Sequence, residues 1–522
     1  MKLFPEMRRT AGLPELVSVW MGLSFGLPLM VGWFSGAGWP RFSDIVFGVA
    51  ALVLLAAAIA VAAPMFFARV RPESALANAI PILLSAGAAA LLLDLSGLWN
   101  DGSAYWVLKP TEAFSSMASL GFLPFRSGPT ALLRFWPALV ALGLVWRLHR
   151  TRIQPAKIAL TAGFSYLLLA IAVHALSWVA WAIALGKSSG LSGVSDVFRL
   201  MVSAQSGGYW INGQGERFFA AIGRQAETGL SAAQASVWFL AACAVLLAWA
   251  AVQSRCLKLG KRLLTIESLP LLFVAAVGLG VGTLQGMADG SYTYWLSFAV
   301  ACVAALAWVW RDRLLRDIEN LPEDELARPH LPLPSGAVAP HEVGDLALSL
   351  GVVAFFGALL LGWPVFVGFV AAEFASWMRF RKGLAWGQAL CSDALLQFLT
   401  ALALGFSGLA YGSRGFSFMA WQSSAVVSAA LLAAVLSSLR RSVDAPVSRP
   451  VRVALPTVAF VLALAVLRQP AVWGFGLLAA TAQVAIGWRD EWHLRFRFLP
   501  GMLLLMTVAI LALAWPVLWR TF

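Results

Sequence analysis

Apolar positions in this chain come in long unbroken runs, not in the alternating or one-face stripes of soluble elements. A membrane-crossing helix needs about 20 consecutive, mostly apolar residues. Setting the runs against their polar breaks predicts fifteen such helices. They lie near 16–35, 44–68, 78–97, 130–147, 158–186, 233–253, 268–286, 292–310, 344–361, 363–378, 389–410, 417–437, 453–467, 471–487 and 499–518. Only Gly362 to Pro364 separates the ninth from the tenth, so that pair could be one broken helix. The expected fold class is an all-α polytopic membrane protein of about 15 transmembrane helices.

Charge gives the expected orientation. With the N-terminus inside and the runs alternating, the inner segments hold 27 of the 38 Lys and Arg residues, and the outer ones 11. Cytoplasmic loops are enriched in these two residues, so the split places the N-terminus in the cytoplasm and the C-terminus outside. A bacterial inner membrane fits this arrangement. Lys2, Arg8 and Arg9 precede the first run, and no small-residue cleavage site follows convincingly, so that run is read as a retained helix.

Composition narrows the class. The chain has 522 residues, 60% of them hydrophobic and only 12% charged, with mean hydropathy +0.79. Soluble proteins carry about twice that charge. A disordered chain, a secreted disulfide scaffold and a soluble enzyme are excluded. The net charge of +13 reads as inner-loop Lys and Arg, and no basic stretch is interleaved with base-stacking aromatics, so no nucleic-acid partner is expected. The 24 tryptophans read mostly as interface belts. Cys243, Cys256, Cys302 and Cys391 form no CxxC pair and the five histidines are scattered, so neither zinc nor a disulfide framework is expected.

The chain changes character near residue 260. Residues 1–259 hold six predicted spans and two long outer segments, 98–129 and 187–232, rich in Gly, Ser and aromatics. Residues 260–522 hold nine spans with tight outer turns, and Arg255 to Arg262 form the basic junction. In the first part Asp94 and His174 are ionisable residues within apolar runs, which makes each a functional candidate. Asp94 could equally reach water at an outer surface, and His174 could sit neutral with one hydrogen bond. The outer segments offer a docking surface for a membrane-protein partner.

Chemistry concentrates in the inner segment 311–345. Asp312, Asp317, Glu319, Glu323, Asp324 and Glu325 cluster there. Asp317, Asn320 and Asp324 fall at i, i+3 and i+7, so they share a face if the helix continues beyond the membrane. Pro322 argues against that continuation. Oxygen ligands on one face suit Mg²⁺, which bridges carboxylates to phosphates. A solvated loop of mixed charge is the alternative.

The run that follows, Arg328-Pro-His-Leu-Pro-Leu-Pro-Ser-Gly336, resembles the Arg-Pro-x-x-Pro-x-Pro-Ser-Gly run of UbiA-type intramembrane prenyltransferases. In that family it follows an Asn-Asp-x-x-Asp-x-x-x-Asp motif that binds Mg²⁺ and a prenyl diphosphate. The spacing is kept here, with Arg316 at the leading Asn, then Asp317, Asn320 and Asp324 at the three acids. The resemblance covers about 260–522 and implies a nine-helix UbiA-like bundle. It implies Asp317, Asn320 and Asp324 as catalytic residues and metal ligands. The family's second acidic motif should fall in Ser438 to Pro450, where Asp444 is the one acid, a metal-ligand candidate among Arg440, Arg441 and Arg449. Arg328, Arg379, Arg381, Lys382, Arg440 and Arg441 would contact the diphosphate, for which guanidinium is well shaped. These cations could also be ordinary inner-face anchors. Glu373 and Asp393 would line the pocket, or snorkel.

The implied activity is transfer of a prenyl group from an isoprenoid diphosphate to a lipid-soluble acceptor in the bilayer, with Mg²⁺ as cofactor. Two other readings stand beside it. One is a catalytically inactive protein of the same fold that binds a prenyl lipid or pigment or aids membrane assembly. The other is a lipid transporter, against which stands the lack of Gly/Pro-broken helices at matching positions in two halves.

Overall fold

In the computed structural model of the protein, every element among the described residues is a helix. The described residues are 20, 39–70, 72–95, 118, 131–150, 153–185, 236–245, 269–288, 293–327, 329, 332–380, 390–413, 416, 422, 423, 426, 427, 429, 430 and 433. The predicted spans at 453–467, 471–487 and 499–518 and the outer segments 187–232 and, but for residue 118, 98–129 lie outside them. Among the described residues four helical stretches are long and apolar enough to cross a membrane, Ala50–Phe67, Pro155–Ala172, Pro340–Leu361 and Leu395–Gly412. Shorter apolar helices run over Ala77–Ala86, Ser236–Val245, Leu271–Gly282 and Trp363–Met378.

The chain divides into two compact units. The first is Met1–Gln253 with Trp295–Ser297, and the second is Ser254–Tyr294 with Phe298–Phe522.

In the first unit α1 (Trp39–Phe67), α2 (Pro72–Leu95), α3 (Ala131–His149) and α4 (Pro155–Leu185) pack in a ring, each on the next and α4 back on α1. From Ala50 to Val61 every residue of α1 is buried, as expected of a helix apolar on all sides. By contrast α4 exposes Leu160, Phe164, Leu167 and Ile171. In a bilayer those side chains meet lipid. Hydroxyls inside the helices bond to the preceding turn: Thr161 donates to the Lys157 carbonyl and Ser165 to the Thr161 carbonyl, both at 2.7 Å. That removes the penalty of an unmade hydrogen bond in hydrocarbon. The Trp20 indole donates to the Ala50 carbonyl at 3.0 Å, and Trp238 donates to Ala172 at 3.4 Å.

The second unit holds α5 (Leu269–Ala288), α6 (Thr293–Glu319), α7 (Leu321–Ala327), α8 (Pro340–Leu361), α9 (Trp363–Phe380) and α10 (Leu390–Ser413). Helix α10 packs on α5 and on α9, and α9 on α8. Its core gathers Val274, Trp308, Ala354, Ala358, Ala401 and Leu404. Gly362 breaks the run between α8 and α9 with φ 118°, a backbone state that glycine adopts without steric penalty. The ninth and tenth apolar runs are therefore two helices.

Several predicted boundaries move, among them the start of α2, at Pro72 instead of 78. Helix α1 starts at Trp39, ahead of 44. Helix α6 continues nine residues beyond 310, to 27 residues. At 1.5 Å per residue it is about 40 Å long, more than the roughly 30 Å of a hydrocarbon core. Its C-terminal end carries the candidate chemistry.

Candidate functional site at the end of helix α6

The last turns of α6 read Arg311-Asp-Arg-Leu-Leu-Arg-Asp317, which sets opposite charges four residues apart twice. Residues at that spacing are neighbours on a helix. Arg313 Nη2 lies 2.8 Å from Asp317 Oδ1, and Arg316 Nη2 lies 2.5 Å from Asp312 Oδ2. Two further contacts cross to α9. Ser376 Oγ donates to the other oxygen of Asp312, and Arg311 pairs with Glu373.

These charges are not on the surface. Asp312, Arg313 and Asp317 are 2%, 8% and 5% exposed. A buried charge is tolerable only when paired, and every one of these has a partner. Arg311 reaches α9 past α8. A Cβ at Gly351 would stand 2.9 Å from Arg311 Nε and 3.0 Å from its Cδ, so the glycine leaves the notch through which the side chain passes. The Arg311 guanidinium also stands 6.0 Å from the Phe355 ring centre, at cation–π range.

Beyond Asp317 the helical path persists. The Asn320 N–H donates to the Arg316 carbonyl at 2.9 Å, and the Asp324 N–H to the Asn320 carbonyl at 2.8 Å. Pro322 sits in the first turn of α7, where its missing N–H leaves no bond unmade. The expected break at this proline is therefore corrected to a near-continuous path. Asp317, Asn320 and Asp324 follow one another along it, the first buried and the other two half-buried.

The end of the proline-rich run, residues 332–338, forms a tight turn. Gly336 donates to the Leu333 carbonyl and Val338 to the Pro332 carbonyl, both at 3.1 Å, with Gly336 at φ 69°. Leu333 and Val338 pack on Leu314 with Val343 and Ala347. The turn thus rests on α6 beside the charged residues. Glu342 Oε2 accepts the Ala339 N–H at 3.1 Å and fixes the start of α8.

The other expected residues divide. Glu373 joins the site as the partner of Arg311. Arg379 lies in α9 and Asp393 in α10, and Asp94 and His174 lie in α2 and α4 of the first unit, all with side chains outside the described set. Arg328, Arg381, Lys382, Arg440, Arg441 and Asp444 lie outside the described residues. Sequence reasoning missed Arg311, Arg313 and Ser376, and named Asp312 only as a member of the acidic cluster. The doubled i, i+4 spacing was the available signal for the pairs within α6. Nothing in the sequence announces that Ser376 meets Asp312.

The described residues do not by themselves fit magnesium. Among them no three His, Cys, Asp or Glu side chains come together in a group that could hold a metal ion. The Asp317 carboxylate is already turned to Arg313, and a dication there would repel the guanidinium by several kcal/mol at about 4–5 Å.

Further along α6, a small cavity is lined by Ala275, Leu279, Ala305, Phe369, Ser407 and Tyr411, among others. Ala305 is twelve residues before Asp317, about 18 Å along the axis. The cavity measures about 10 Å³, room for one water and not for an isoprenoid chain.

The chain matches no protein-family model, no curated protein and no solved structure.

Proposed function

We propose that this chain is a multi-pass integral membrane protein of about fifteen spans, N-terminus cytoplasmic and C-terminus outside, in a bacterial inner membrane. Its C-terminal unit is a UbiA-like bundle that holds an isoprenoid lipid, outside the small cavity beside Ala305, without transferring the prenyl group. The observation that speaks against transfer is the Arg313–Asp317 ion pair; the isoprenoid ligand is what the resemblance of Arg316 to Gly336 implies. The pair engages the first acid of the motif, while Asn320, a neutral amide, stands at the second. The basic composition of 438–452 supports it further, since a second acidic wall is missing there. The first unit, with its long outer segments, is proposed to dock a membrane-protein partner.

Prenyl transfer is the second reading, and one observation favours it. Asp317, Asn320 and Asp324 keep the family's spacing on a near-continuous helical path, with the Pro-Ser-Gly turn packed beside them. In that reading Mg²⁺ is the cofactor, and an isoprenoid diphosphate and a lipid-soluble acceptor are the substrates.

Retention tests the proposal. Purified chain in detergent is mixed with a radiolabelled C15 to C55 series of prenols and prenyl diphosphates, then passed over a sizing column. The proposal expects label to travel with the protein and to be recovered chemically unchanged. Label that elutes wholly apart from the protein overturns it.

A further inference from the structure

Three arginines and three carboxylates meet where α6 approaches α8 and α9, so their formal charges cancel. Two of the pairs lie within α6, at a spacing the helix itself imposes. The third, Arg311 with Glu373, crosses to α9. Asp312 adds a second link to α9, since one oxygen accepts from Ser376 and the other lies 2.5 Å from Arg316 Nη2 as an ion pair without a formed hydrogen bond. The backbone of α8 is shaped to this, because Gly351 is the position that admits the Arg311 stem.

We infer that these residues form an ionic clamp in which Arg311–Glu373 and Ser376–Asp312 fasten the end of α6 to α9, and that Asp317, paired within α6, is the counter-ion of Arg313 and not a metal ligand. The assignment rests on the non-transferring reading, and its chemistry is electrostatic. A carboxylate with its charge compensated by a guanidinium at 2.8 Å has little attraction left for a dication. The clamp needs no ion to be complete. It uses buried charge for what apolar contact does elsewhere in the unit, and each arm fails when one partner is removed.

The test is thermal melting of the full chain in detergent, with EDTA or with up to 20 mM MgCl₂ (about a hundredfold above ordinary site affinities), for wild type, Arg313→Glu, Asp317→Arg and the charge-swapped double variant. The clamp predicts that each single variant melts about 5 °C or more below wild type and that the double recovers at least half the loss. It predicts that Mg²⁺ shifts none of the four saturably. Double-variant losses that simply add, or a saturable Mg²⁺ shift of wild type that Asp317→Arg abolishes, overturn it. Should the single variants fail to fold, Mn²⁺ titrated into wild type and read by electron paramagnetic resonance decides. No tightly bound spectrum supports the clamp, and a bound stoichiometric ion overturns it. Should melting follow the clamp while no prenyl lipid is retained, the functional reading falls and the clamp stands.

Discussion

Two of the seams in the second unit work by opposite means. Where α5 crosses α10 there is almost no side chain. A Cβ at Gly278 would fall on the Gly405 carbonyl, one at Gly282 on the Gly408 carbonyl, and one at Gly412 on the Gly282 carbonyl. Small residues four apart let backbones meet and gain dispersion over the whole contact. Where α6 meets α9, long side chains span the gap, and the joining forces are Arg311 to Glu373 and Ser376 to Asp312. The first seam is limited by volume and the second by charge. Apolar helices have no hydrophobic drive to associate within lipid, so a membrane bundle must use shape or polarity. This unit uses one at each place.

The contrast can be broken from either side. The largest effect is expected from Gly408→Leu, whose side chain would enter the backbone of Gly278 and Leu279 with nothing flexible to yield. It should lose about 3 kcal/mol or more, seen as loss of the monodisperse peak in size-exclusion chromatography. Next comes Asp312→Ala, which strands the Arg316 guanidinium and Ser376 in a site 2% exposed. About 3 kcal/mol is expected, read as a lowered midpoint in a thermal scan. Glu373→Gln removes one partner of a less buried pair and should lose about 2 kcal/mol, with Glu373→Asp losing less. Gly351→Ala crowds the Arg311 stem, whose methylenes can shift by tenths of an ångström. A loss of about 1 kcal/mol is expected, and it should vanish when combined with Arg311→Ala, as a double-mutant cycle would register. Smallest is Leu326→Ser on exposed α7, expected within about 0.5 kcal/mol of wild type and serving as the control.

How far the sequence carried the reading differs between these seams. The apolar runs located α3, α4, α5, α8, α9 and α10 to within a few residues, because exclusion of charge from hydrocarbon writes itself into composition. The glycine seam was not singled out, although its spacing stands in the sequence as Gly278-x-x-x-Gly282 and Gly408-x-x-x-Gly412. The ionic seam was harder. A charged stretch such as Arg311 to Asp317 ends a hydropathy run, so the eighth span was closed at 310, although the helix continues and its charges are buried. The acids there were read as ligands because acids at helical spacing suit a metal. What turned them was the interleaved arginines, whose pairing was legible, and α9, whose Ser376 and Glu373 meet α6 through a tertiary approach that sequence alone does not disclose.

The account turns on whether the acidic segment after the eighth span performs chemistry. The direct measurement is pyrophosphate release by the purified full chain given a prenyl diphosphate, Mg²⁺ and a bilayer extract as acceptor source, with Asp317→Ala alongside. The account predicts no release above the protein-free background from either chain. Turnover by wild type that disappears in Asp317→Ala would contradict it.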